Sequence, residues 1–397
     1  HSHGDGKGNA MKAVLLTCST GQGHNSAALA VRQALEARGA TCETRDALAF
    51  LGNNVSEAIT SAFVNIAIKT PRAFGFLYAA GEFVSSNKRK SPVYFANALY
   101  AENLRRYLEE EEFDAAICPH LFPAEALTYL KRKHALSTRC YYVSTDYTCI
   151  PFLEETDMDV VFTPHADLSA QFVRRGVRAE KLVPVGIPVR DEYLSRQNPA
   201  DARALLHLPA SLPCYLLMTG GEGGGDAVSL TRKLLERLKN RDARIVILTG
   251  HNAALQSALE TRFCDDLRVL AVPFTEQVSL YMDACDVLLT KPGGLSSTEA
   301  AVKGVPLVHV ANPGVETLNA QFFAERGMST FAPGEDSAAD NASRLAADAP
   351  ARARMLEAQQ QYLVRNAAER IATRILEGRA ATTEATGTTA RPLERAP

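Results

Sequence analysis

The feature that most constrains this chain is an alternation. Short apolar runs at residues 13–17, 115–118, 139–144, 160–163 and 182–185 are separated by stretches with helical spacing, such as 25–38, which closes on Gly39. Strands that alternate with amphipathic helices predict βαβ units and a parallel sheet. Near residues 186–213 the composition shifts to a polar connector with a short helix. A second series of apolar runs follows, at 214–218, 244–248, 267–272, 287–290 and 307–310. The fold class is therefore α/β, with two βα domains joined near residue 200. A length of 397 residues fits that division, at roughly 150 residues per domain.

The expected boundaries are 11–195 for the first domain and 196–350 for the second. A helical pattern over 351–376 closes the fold, and the small, polar, Thr-rich residues 377–397 are expected to be disordered. Residues 1–10, HSHGDGKGNA, read as an expression scar ahead of Met11. Residues 48–112 interrupt the strand–helix rhythm. They carry scattered aromatics, including Phe50, Phe63, Phe74, Phe83, Tyr94 and Phe95, and the basic cluster Lys88-Arg89-Lys90. This insertion either packs a small core of its own, with the basic triplet in water, or offers an amphipathic surface to a membrane.

Composition narrows the classes of function. With 43 basic and 45 acidic residues the formal net charge is -2, whereas a general nucleic-acid binder is more basic; no nucleic acid is expected as a partner. No apolar stretch is long enough to span a bilayer as a helix, and no secretory signal precedes the first strand. The eight cysteines are scattered, with no C-x-x-C pair. They read as buried free thiols of a reducing cytosol, and no metal site is expected.

Three loops that run from strand to helix carry the candidate chemistry, because ligands in open α/β sheets bind at the carboxyl ends of the strands. The first holds Gly21, Gly23 and His24; the glycines allow close backbone approach, and the histidine is either a turn cap or a catalytic group. The second, with Gly220, Gly221, Glu222 and Gly223, has five glycines in six positions. It is either a flexible surface loop or a phosphate cradle. The third holds Lys291, Gly293, Gly294, Leu295, Ser296 and Glu299, where backbone N–H groups at a helix start favour an anion. A fourth loop, Asn312-Pro313-Gly314, leads to Glu316 and Asn319 and is generic turn chemistry taken alone. Asp146 and His120 also follow strands.

Taken in order, these motifs resemble the monogalactosyldiacylglycerol synthase and processive diacylglycerol glucosyltransferase family over residues 11–376. The resemblance rests on the GQGH segment, Thr145-Asp146, the run from Lys181 through Gly186-Ile187-Pro188-Val189, and the GGEGGG loop. Lys291-Pro292-Gly293-Gly294 with Ser296 and Glu299, and Pro313-Gly314-x-Glu316 with Asn319, complete it. It implies a GT-B fold, two Rossmann-like domains facing across a cleft, and an inverting transfer of a hexose from a UDP-sugar without a bound metal or cofactor. By the family, Gly220, Gly221, Glu222, Gly223, Lys291, Gly293, Gly294, Leu295 and Ser296 line the donor. Glu299 would hold the ribose, Glu316 and Asn319 the donor sugar, and Phe274 the base.

The base that deprotonates the acceptor hydroxyl would be His24. Asp146 is the second candidate, as a base or as the group that orients the imidazole. On the acceptor side the resemblance points to Gly21, Gly23, His120, Ile150 and Leu153. Two of these depart from the pattern, since Ile150 and Leu153 stand where the family commonly has His and Trp. Val315 replaces a Gln beside Glu316. These departures set the acceptor side apart from the best-known lipid synthases and leave glucose, galactose and N-acetylglucosamine open as the sugar. The resemblance as a whole implies a diacylglycerol-like lipid acceptor at the cytoplasmic face of the cell membrane, with peripheral attachment. A soluble or polyprenyl-linked acceptor, or a nucleotide-sugar-binding protein without transfer activity, are the alternatives.

Overall fold

A computed structural model of the chain describes residues 10–18, 22–52, 85–86, 88–218, 226–311 and 315–387. Gly21, the loop with Gly220, Gly221, Glu222 and Gly223, residues 312–314, and most of the insertion lie outside the described residues, as do residues 1–9 and those beyond 387. The chain forms two compact units. One comprises His1–Thr145, Pro151–Arg190 and Asn366–Pro397, the other Asp146–Ile150 and Asp191–Arg365.

The first unit is built on six strands: β1 (Lys12–Thr17), β2 (Thr41–Asp46), β3 (Ala115–Cys118), β4 (Arg139–Val143), β5 (Val160–Thr163) and β6 (Leu182–Pro184). They pair in parallel in the order β2-β1-β3-β4-β5-β6. Helices cover a parallel sheet on both faces, so its central strands are continuous apolar runs. Leu15, Ile117, Val143 and Phe162 share one core with Val31 and Leu35 of the helix Gln22–Glu36 and with Ile371 and Ile375 of the helix Ala367–Gly387. The polar β2 lies at the sheet edge, with one fully buried residue, which is why no apolar run marks it.

The second unit repeats the plan with β7 (Cys214–Met218), β8 (Arg244–Gly250), β9 (Val269–Pro273), β10 (Val287–Thr290), β11 (Leu307–Val310) and β12 (Thr330–Ala332). The order is β12-β11-β10-β7-β8-β9, again parallel throughout. A buried ion pair secures the connector. Lys303 Nζ lies 2.9 Å from Asp283 Oδ2, with the two side chains 1% and 3% exposed. The same ammonium donates to the carbonyls of Glu192 and Ser195, so the hydrogen-bonding that the buried cation requires is present, while Asp283 Oδ1 has no hydrogen-bond partner among the described residues. The unit boundary accordingly falls between Arg190 and Asp191, ahead of the expected 195/196.

The closing segment differs from the single helix expected over 351–376. Two helices, Ala349–Tyr362 and Ala367–Gly387, flank an extended Leu363. They serve different cores: Gln359 of the first donates to the carbonyls of Val305 and Met328 in the second unit, whereas the second buries Ile371 and Ile375 in the first unit. The second helix also runs past residue 377, where disorder was expected. Alanine-rich sequence sustains it, and the Gly378 carbonyl accepts from Arg139 Nη1 at 2.9 Å. A Cβ at Gly378 would stand 2.6 Å from that nitrogen, so a larger residue would have to push the Arg139 side chain aside.

The described part of the insertion folds into the helices Pro92–Ala98 and Ala101–Glu110, which bury Val93, Tyr94, Leu104 and Leu108. The basic cluster is divided. Lys88 and Arg89 are exposed, but Lys90 donates to the Glu155 carbonyl, and burial pulls its pKa down. Glu155 also accepts from the Ser91 N–H at 2.6 Å. Beside it sits fully buried Glu125. Burial, then the hydrogen bond and charge of Glu155, push the Glu125 pKa well up. None of the eight cysteines is in a disulfide, and only Cys264 is exposed.

A carboxyl whose pKa is raised in the fold stabilises below its unfolded pKa near 4.3, and that contribution is lost as pH rises through the folded value. Glu125→Gln should therefore raise the melting temperature more at pH 8 than at pH 5, measured by circular dichroism. Equal gains at both pH values would contradict a protonated Glu125.

Candidate functional site

In each sheet the strand order reverses once, and at such a point two β→α loops diverge and leave room for a ligand. In the first unit the reversal lies between β1 and β3. The loop after β1 leads to His24 in the first turn of Gln22–Glu36, and the loop after β3 leads to Pro119 and His120. His24 Nδ1 stands 2.8 Å from the Pro119 carbonyl oxygen and 3.2 Å from Thr145 Oγ1. A carbonyl can only accept, so Nδ1 carries the proton and Nε2 of the neutral ring carries the lone pair.

His120 has a different task. Its Nδ1 accepts from the Phe122 N–H at 3.1 Å and caps the helix Leu121–Lys133. Its ring meets His24 edge-on, with centroids 4.6 Å apart. Burial, and then the charge of His24, lower the His120 pKa well below that of a free imidazole. His120 is therefore a neutral wall and cap. Gly23 is exposed beside His24.

In the second unit the reversal lies between β7 and β10. Lys291, Pro292 and Gly293 lead from β10 into the helix Gly294–Lys303, whose N-cap is Gly293. No side chain caps this helix and its first turn holds no acid, so the positive end of its dipole is offset by neither. Gly293 is close-packed: a Cβ there would lie 3.1 Å from Ser296 Oγ. Lys291 Nζ meets Glu316 Oε1 at 3.1 Å. Glu316 comes from the first turn of Val315–Glu325. Leu295 and Glu299 are each 6% exposed.

Asn319 is fully buried. Its amide nitrogen donates to Asp146 Oδ1 at 2.8 Å and to the Pro292 carbonyl at 3.0 Å. Its amide oxygen accepts from the Tyr147 N–H at 2.6 Å. Tyr147 in turn pairs its hydroxyl with Thr298 Oγ1 at 2.8 Å and stacks on Phe322. The segment Asp146–Ile150 is thus built into the second unit.

Two histidines escaped the sequence reading. His309 lies in β11, fully buried, with Ser297 Oγ 2.8 Å from Nε2 and Ser329 Oγ 3.0 Å from Nδ1. Burial lowers its pKa to about 3. A polar residue in the run LVHV was the available signal, but its partners are distant in sequence. His251, just past β8, stacks on Phe274 at 4.3 Å between centroids; Phe274 is 50% exposed. Leu153, expected on the acceptor side, is 1% exposed within the first unit. It presents almost no surface to a ligand, because its apolar side chain is packed inward; Ile150 keeps partial exposure. Among the described residues no group of three or more His, Cys, Asp or Glu side chains is arranged to hold a metal ion.

Residues 24–189 match the monogalactosyldiacylglycerol (MGDG) synthase family, and residues 215–371 match the C-terminal domain of glycosyltransferase family 28. The two halves of the chain are thus each similar to a glycosyltransferase family. Among its relatives is a processive diacylglycerol beta-glucosyltransferase of Bacillus subtilis strain 168, 24% identical over 342 residues, covering 85% of this chain and 87% of that one. Of the solved structures, MurG of Acinetobacter baumannii is similar with a TM-score of 0.59 at 16% identity, over 93% of this chain and all of that one. The UDP-GlcNAc 2-epimerase of Neisseria meningitidis, solved with UDP-GlcNAc, has a TM-score of 0.62 at 12% identity, over 92% of this chain and 100% of that one. These likenesses confirm the GT-B class of fold, with a Rossmann-like sheet in each unit.

A histidine held neutral in the fold binds fewer protons than the unfolded chain, so its contribution is complete above pH 6.5 and is lost as pH falls toward 3. From pH 6.5 to 5 the loss at His309 is about 2 kcal/mol. In urea unfolding, His309→Gln should be less stable than the wild type at pH 7, with that gap narrowing at pH 5. A gap of constant size would contradict this.

Proposed function

We propose that this glycosyltransferase moves a hexose from a UDP-sugar to the hydroxyl of a diacylglycerol-type lipid, with inversion at the anomeric carbon. The observation that carries the mechanism is the hydrogen bond from His24 Nδ1 to the Pro119 carbonyl. It selects the tautomer in which Nε2 is the base. The acceptor O–H proton passes to Nε2 as its oxygen attacks the anomeric carbon, and the bond to the UDP oxygen breaks on the opposite face. General-base catalysis of this kind contributes about 10²–10⁴-fold.

The donor reading is supported by the uncapped start of Gly294–Lys303. Backbone N–H groups there, with close approach at Gly293 and Gly294, suit a pyrophosphate and the charge that grows on it as UDP leaves. In this reading no metal is required for that charge. Buried Glu299 is the ribose ligand, Glu316 beside Lys291 addresses the sugar, and Phe274 borders the base. Gly220, Gly221, Glu222 and Gly223, which follow β7 in the sequence and lie outside the described residues, are assigned to the donor by the resemblance alone. The names of the relatives favour the lipid acceptor, and a neighbour solved with UDP-GlcNAc favours the nucleotide.

Peripheral contact with the inner face of the cell membrane is supported by the helix Pro92–Ala98 and its end. Phe95 and Leu99 are 61% and 56% exposed, on the same segment as exposed Lys88 and Arg89. Apolar anchors beside cations suit an anionic leaflet. Among the described residues no helix is long and apolar enough to cross a membrane.

The test is UDP release from UDP-glucose, UDP-galactose and UDP-N-acetylglucosamine, each with and without diacylglycerol liposomes. Release is expected with liposomes and one preferred donor, and to persist in EDTA. His24→Ala should keep UDP affinity within about threefold while kcat falls about 10²–10⁴-fold. Release that ignores liposomes would move the acceptor to a soluble compound. No release with any donor would reject transfer.

A further inference from the structure

We infer that Asn319 is a positioning residue that fixes the Asp146 carboxylate, and not a ligand of the donor sugar. The inference rests on the proposed transfer reaction and on Asp146 being, as the sequence suggests, a second base or the group that orients the His24 imidazole. A primary amide has one acceptor oxygen and two N–H donors. In Asn319 all three functions are engaged within the second unit. The oxygen accepts from the Tyr147 N–H, which can only donate, so the orientation of the amide is unambiguous. The two amide hydrogens then face acceptors, Asp146 Oδ1 at 2.8 Å and the Pro292 carbonyl at 3.0 Å. With the side chain fully buried, a sugar hydroxyl would have to displace one of these partners to gain a donor.

The partners show what the amide joins. Pro292 belongs to the loop that starts the helix Gly294–Lys303, and Tyr147 is locked to Thr298 of that helix and against Phe322. Asn319 therefore ties Asp146 to the loop that leads into the proposed pyrophosphate site. One peptide bond before Asp146 is Thr145, whose hydroxyl is 3.2 Å from His24 Nδ1. The carboxylate is held by a charge-assisted hydrogen bond from Asn319, and the backbone that follows it is tied to the same amide through the Tyr147 N–H. Such second-partner restraint sets the geometry of a reacting group without touching substrate.

The experiment uses Asn319→Ala, Asn319→Asp and the swap Asp146→Asn/Asn319→Asp. Asn319→Ala should lower kcat at least about tenfold while the KM for the UDP-sugar stays within about threefold. Asn319→Asp sets a carboxylate against Asp146, and such a pair shares a raised pKa. The acidic limb of its kcat/KM profile should move up by about one pH unit or more. A donor KM that rises about tenfold at unchanged kcat would overturn the inference in favour of a sugar contact. A melting series needs no turnover. Two facing carboxylates bind a proton more tightly in the fold than when unfolded, so the deficit of Asn319→Asp against the wild type should grow from pH 5 to pH 8. The swap restores an amide–carboxylate pair but leaves a carboxylate facing the Pro292 carbonyl, so it should recover part of that deficit. A deficit that does not change with pH overturns the inference even if the wild type proves inactive with every donor, an outcome that rejects the proposed function separately.

Discussion

Parallel pairing governs this molecule. A strand that lies parallel to its predecessor must be reached by a crossover, so every β→α loop leaves from the same edge of the sheet. Both units obey this over six strands, and both reverse their strand order once. At that reversal neighbouring loops are carried to opposite faces, and the groups at their ends converge. His24 and Pro119 are 95 residues apart in the chain, yet they share a hydrogen bond because β1 and β3 are neighbours. Lys291 and Glu316 meet beside the reversal of the second sheet, at the ends of the adjacent β10 and β11.

Two polar clusters inside the second unit, around His309 and Asn319, are tightly hydrogen-bonded. His309 spends both ring nitrogens on serines from two different elements. Asn319 and Tyr147 spend their polar groups on Asp146, Pro292 and Thr298. In a low-dielectric interior an unpaired polar group is costly, and a satisfied one fixes a single arrangement. The helix Gly294–Lys303 is held through Ser297 and Thr298 while its N-terminus stays without a side-chain cap. Rigid support behind an uncapped terminus is the arrangement that anion binding by a helix start requires.

Much of the fold was legible. The apolar runs at 115–118, 160–163, 214–218, 287–290 and 307–310 coincide with strands, since residues buried on both sheet faces leave an uninterrupted signal. β2 and β12 left no such trace because edge strands are short or half exposed. The segment 351–376 read as one helix because helical periodicity does not show which core a helix joins. Lys90 read as part of a basic surface cluster, and only the fold turned it inward onto the Glu155 carbonyl.

By itself the sequence determined the two-unit α/β plan, the resemblance to glycosyltransferases, and the loops that carry His24, Lys291, Gly293, Glu299 and Glu316. These depend on local period, on glycine and on order along the chain, all of which one-dimensional text records. The tertiary structure alone decided what each group can do there. It gave His24 its tautomer through Pro119, made His120 a helix cap, buried Leu153, and enclosed Asn319 among three partners. The physical reason is the same in each case. A proton's location, a side chain's burial and an amide's remaining capacity are properties of neighbours, and those neighbours are brought in by strand order from distant parts of the chain.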